Sequence, residues 1–136
     1  MAKQVIGIGT VANDGTGDPI RTAMDKINDN FTELYPMAAD SVDYANPLAL
    51  DATTYKDFIC SSIEGDATVN LTNMSDGDAG IIELIIDNTG GYTVELGTMF
   101  TKNSGGGTID ATADADNVIA WYVSGDDIIY SISQIS

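Results

Sequence analysis

Two spacings of apolar residues divide this chain. Between Pro19 and Pro36 the apolar positions are Ile20, Met24, Ile27, Phe31 and Leu34, four, three, four and three residues apart. That is a heptad seam about two heptads long, and it predicts one amphipathic helix. From about residue 51 the spacing falls to two. Runs such as "DFICSSI", "ATVNLTN", "GIIELIIDN", "NVIAWYVSG" and "DIIYSISQI" are rich in Ile, Val, Thr and aromatics and are bounded by Gly, Asp, Asn or Ser. Alternation of this kind predicts about seven short strands. Their spacing points to an antiparallel β-sandwich or jelly-roll-like domain. The expected organisation is therefore mainly β, with residues 1–36 as arm and helix, 37–50 as a linker containing Pro47, and 51–136 as an antiparallel β head. "SGDD" between "IAWYV" and "IIYSI" predicts a hairpin in which Gly125 takes a positive φ.

The helix start is marked by Asp18, a suitable N-cap, and by Pro19, whose missing N–H costs nothing at the first helical position. Just before it stands "NDGTGD". Gly15 and Gly17 there predict either backbone at positive φ or a close approach that a side chain would block. A helix of this length is marginal alone in water, so its seam needs cover. That cover is either the β domain of the same chain or another molecule.

Composition narrows the chemistry. Five basic against twenty-one acidic residues give a net charge of -16. Such a field repels phosphate backbones and anionic membranes, so neither nucleic acid nor membrane is expected as a partner. Histidine is absent, which removes the commonest general base and metal ligand. Cys60, the single cysteine, lies in an alternating apolar run and is expected as a small buried hydrophobe. Carboxylates cluster at Asp14 and Asp18, at Asp76 and Asp78, and at Asp110, Asp114 and Asp116. None of these stretches supplies the closing Glu of an EF-hand loop, and tight turns select the same residues. No catalytic residue, metal or cofactor is expected, and the chain does not read as an enzyme. Trp121 and Tyr122 remain candidates for a sugar-binding platform.

Residues 13 to 35, "NDGTGDPIRTAMDKINDNFTELY", resemble a short module near the N-termini of tailed-bacteriophage virion proteins, including baseplate, tail-fibre and head-fibre components. The strands beyond are similar in pattern to the small β heads of phage fibres and decoration proteins, with "GIIELIIDNTGGYTVELG" as one hairpin. The resemblance implies a non-enzymatic virion protein, made in the bacterial cytoplasm and assembled as a homotrimer. On that analogy the β heads supply much of the trimer contact. Gly15, Gly17, Asp18, Pro19, Ile20, Met24, Ile27, Phe31 and Leu34 would form the attachment or oligomer seam. The partner would be the major capsid protein or another virion protein. A chain without a long shaft suits a capsid decoration, cement or head-fibre protein. The alternative is a short tail or collar adhesin whose head binds a host-surface glycan.

Overall fold

The computed structural model describes residues 4–11, 14–34 and 39–135, and of residues 32–34 the backbone alone. The chain divides into two compact units, Met1–Met37 and Ala38–Ser136. In the first, helix α1 runs Ile20–Leu34 behind an extended arm. The side chain of Leu34, together with Tyr35 and Pro36, lies outside the described residues.

The second unit is all β. Its strands are β1 (Asp40–Ser41), β2 (Leu48–Asp51), β3 (Phe58–Ile63), β4 (Ala67–Thr72), β5 (Ala79–Ile86), β6 (Val94–Leu96), β7 (Phe100–Asn103), β8 (Asp116–Ser124) and β9 (Asp127–Gln134). The mainly-β expectation holds. The antiparallel sandwich does not. Strands β1, β3 and β5 pair in parallel in one sheet, and β2, β4 and β6 pair in parallel in a second. From β1 to β6 the chain alternates between the sheets, so it winds like a short solenoid rather than folding back in hairpins. Only the end of the unit is antiparallel, where β8 pairs with both β5 and β9. Strand β7 then adds in parallel to β9 and closes the order β1-β3-β5-β8-β9-β7.

The corners explain the winding. Strands β3 and β4 are separated by Glu64, Gly65 and Asp66, which send the chain across the core instead of back along β3. Gly65 lies under the Tyr44 ring, where a Cβ would come within 2.6 Å of the hydroxyl. That hydroxyl donates to the Asp66 carbonyl at 2.9 Å, and the Asp66 carboxylate accepts from the Thr93 amide at 2.7 Å. Each corner therefore rests on the next, and stacked corners impose parallel pairing. The expected β5–β6 hairpin fails for a related reason. Asp87 gathers the amides of Thr89 and Gly90 and the Tyr92 hydroxyl, and the loop lies against residues 111–113, where Gly91 N donates to the Ala111 carbonyl. The chain is thereby carried to the second sheet.

Residues 40–51, mostly inside the stretch expected as a linker, contain β1 and β2. Leu48 and Leu50 are fully buried. The missing period there reflects strands of two and four residues, too short to display alternation. The β8–β9 hairpin is as expected: Ser124 faces Asp127, and Gly125 has φ 62° at the first loop position, the pattern of a type II′ turn.

One apolar cluster fills the space between the sheets. Leu48, Leu50, Val69 and Leu71 face Phe58, Cys60, Ile82, Leu84, Ile86, Ile119, Trp121 and Ile128. Cys60 is buried within it, and burial pushes its thiol pKa up. Asn117 is the single fully buried polar side chain among the described residues. Its amide accepts from Asp110 N at 2.8 Å and donates to the Asp110 carbonyl at 2.8 Å, pinning the segment before β8 to the strand.

Candidate functional site

The most unusual surface belongs to the first unit. Its arm is clasped to the helix by polar contacts. Asp14 is the hub of the turn: one carboxylate oxygen accepts from Thr10 N, Thr10 Oγ1 and Val11 N at 2.7 to 2.9 Å, and the other from Thr16 N. The Thr10 hydroxyl and then the surrounding amides hold its carboxyl far below the usual carboxylate range. Asp18 is the second hub. Its carboxylate accepts from Gly7 N at 2.7 Å and from Lys26 Nζ at 2.7 Å, and the Lys26 ammonium, then the Gly7 amide, lowers its pKa. The residue expected as a helix cap thus spends its carboxylate on the arm. At the start of the helix Ala23 N donates to the Pro19 carbonyl at 2.9 Å.

The far end of the arm is fixed by an amide pair. Gln4 N donates to Asn30 Oδ1 at 2.8 Å, and Asn30 Nδ2 returns a bond to the Gln4 carbonyl at 3.0 Å. Between the two ends, Lys26 Nζ also donates to the Val5 carbonyl. The glycines divide the two roles expected of them. Gly15 has φ 70° and open space around it. At Gly17 a Cβ would stand 3.0 Å from the Gly7 carbonyl oxygen and 3.1 Å from Gly9 N, so the arm itself makes the close approach.

Because these contacts occupy the Asp18, Lys26 and Asn30 side of the unit, its apolar side chains point elsewhere. Ile20, Met24 and Phe31 are 75%, 51% and 53% exposed, and Val5, Ile8 and Val11 on the arm are 72%, 90% and 68% exposed. Ile27, on the same seam, is half-buried. Six large exposed apolar groups on so small a unit are the mark of a binding surface. Charge points the same way. Lys3, Arg21 and Lys26 against five carboxylates leave residues 1–37 at -2, whereas residues 38–136 hold sixteen carboxylates against Lys56 and Lys102, a net of -14. The arm contribution was missed in the sequence, because Val5, Ile8 and Val11 follow no strand or helix period.

Four of the five clustered carboxylates of the β unit serve turns, while Asp116 opens strand β8. Asp76 accepts from Gly125 N, Asp78 from Ser75 N and Lys56, and Asp110 from Thr112 N. Asp114 sits at φ 58° in the turn before β8. Among the described residues no three His, Cys, Asp or Glu side chains are placed to hold a metal ion. Trp121 is 3% exposed, since neighbouring residues of β8 point to opposite sides of the sheet and its indole belongs to the core. Of the two, Tyr122 reaches the surface, 45% exposed, beside a hollow of about 160 Å3 also bordered by Ser104, Ala120, Trp121, Ile129, Tyr130 and Ser131.

The family match falls on the first unit and the start of the second. Residues 3–63 match the family described as Bacteriophage T4 gp9/10-like protein, N-terminal. The match runs past the helix to the end of β3. The chain is also similar to the baseplate wedge protein gp10 of Enterobacteria phage T4, with 38% identity over 80 residues. That alignment covers 51% of this chain and 13% of the T4 protein, so the chain spans a small part of its relative's length. No solved structure matches the chain significantly.

Proposed function

We propose that this chain is a non-enzymatic structural protein of a tailed-phage particle, joined to the particle through the clasped arm and helix of residues 4–34. The observation that carries this reading is a coincidence of position. The stretch similar to gp9/10-like N-termini contains the unit whose apolar side chains are exposed and whose charge is almost balanced. A near-neutral apolar surface can pack against another protein without paying to bury unpaired carboxylates. The β unit, at -14, faces outward and keeps the protein soluble.

Expected partners are other virion proteins. The relative is named for the baseplate wedge, which favours the tail end of the particle over the capsid surface. Capsid decoration, which the likeness of the strands to small β heads of decoration proteins implies, is the second reading. Gold-labelled antibody against residues 38–136, applied to intact particles, tests both. Label at the tail tip supports the baseplate reading and label over the head supports decoration. Particles without label, alongside free protein in the lysate, would contradict virion attachment altogether.

A further inference from the structure

We propose that Met24 is a modification site, at which a peroxide oxidises the thioether and the sulfoxide disables the attachment surface. The inference rests on attachment through residues 4–34 and names a chemistry that regulates it. Thiol and thioether sulfurs are the side-chain atoms that peroxides oxidise most readily. Among the described residues they belong to Met24, Cys60, Met74 and Met99. Cys60 is 1% exposed inside the core, and burial pushes its thiol pKa up, which withholds the reactive thiolate. Met74 and Met99 are half-buried and pack against the same core. Met24 differs from all three, being 51% exposed on α1. Exposure therefore selects one sulfur. It stands in the middle of the apolar seam, four residues after Ile20 and three and seven before Ile27 and Phe31.

The step balances with hydrogen peroxide as the oxidant. The sulfur lone pair attacks one peroxide oxygen, the O–O bond breaks and an S–O bond forms. The departing hydroxide takes the proton from the transferred oxygen and leaves as water. Sulfur gives up two electrons and the peroxide accepts them. The product changes what the seam can do. A flexible apolar side chain becomes a polar one, and the hydrocarbon side chains of Ile20, Ile27 and Phe31 offer the new oxygen no hydrogen-bond donor. Packing that oxygen into an apolar contact costs free energy that the thioether does not. Thiol-dependent sulfoxide reductases remove the oxygen again, so the modification is reversible.

The test treats the full chain with dilute hydrogen peroxide, maps the oxygen by mass spectrometry, and offers the protein to particles assembled without it. Met24 should gain an oxygen before Met74 and Met99. Treated protein should join particles about tenfold less than untreated protein, the scale set by one unpaired polar group in an apolar contact. A methionine sulfoxide reductase should restore joining. Met24→Leu, compared with its own untreated sample, should show no loss. Protein already on particles should oxidise at Met24 about tenfold more slowly than free protein, because the contact covers the sulfur. Oxygen reaching Met74 or Met99 first would overturn the proposal, as would an equal loss of joining in Met24→Leu. Wild type oxidised at Met24 that still joins at the untreated level would overturn it too. If Met24→Glu fails to join in that case, this inference alone falls; if Met24→Glu also joins, the attachment reading falls with it.

Discussion

Asn117 does more for the β unit than its size suggests. It has no exposed surface and makes two bonds to the backbone of Asp110, so Asn117→Ala leaves the part-buried Asp110 amide and carbonyl without these partners. Removing one side of a buried hydrogen bond costs about 1–3 kcal/mol. A urea midpoint lowered by that amount, with an unchanged slope, is the expected result. Gly80 is constrained by space, because a Cβ there would stand 1.9 Å from the Lys56 carbonyl oxygen. Gly80→Ala must push β5 away from that backbone, and its melting temperature should fall more than that of Gly91→Ala, where open space surrounds the glycine but φ is 79°. The carboxylates respond to pH in a definite direction. Asp51, bonded by Thr53 and Asn73, has its pKa lowered to about 2, and Asp87 and Asp110 are lowered by turn amides. Groups with depressed folded-state pKa values stabilise above their unfolded value near ~4 and lose that contribution as pH falls. Urea midpoints should therefore drop between about pH 4 and 2, and Asp51→Asn should flatten that fall.

At the scale of elements, the legible features were those fixed by near neighbours. The helix was visible because apolar residues four and three apart share one face, and the β8–β9 hairpin because Gly125 supplies the positive φ its turn requires. Cys60 in the core and the aspartate turns were legible for the same reason. What stayed hidden depends on residues far apart in the chain. Parallel and antiparallel strands have the same alternation, so "AGIIELII" could not reveal that its neighbour on one side is β3. The Tyr44, Asp66 and Thr93 stack that directs the winding spans three successive coils and leaves no local period. Trp121 and Tyr122 were read together, although one step along a strand reverses the side chain and only Tyr122 emerges. Within the candidate site the seam residues were legible, whereas the clasp was not. Asp18 looked like a helix cap, and its bonds to Gly7 and Lys26 join residues eleven and eight positions away. Asp18→Asn should loosen the arm while leaving residues 38–136 unaffected. Amide exchange at Gly7 and Val11 would register it, with faster exchange at Gly7 as the expected outcome.

For the whole molecule, the governing feature is unequal charge. A unit of net -2 with an apolar exterior is joined to one of net -14 with a mostly polar exterior. The first suits burial against other proteins and the second suits solvent. Attachment through residues 4–34 remains the central claim. Its direct test is incorporation into particles of full chains carrying Met24→Glu or Ile20→Glu, both at exposed positions where folding should survive. The account predicts that each variant accumulates as folded protein in the lysate and is lost from purified particles. Variants recovered from particles at wild-type levels would contradict it.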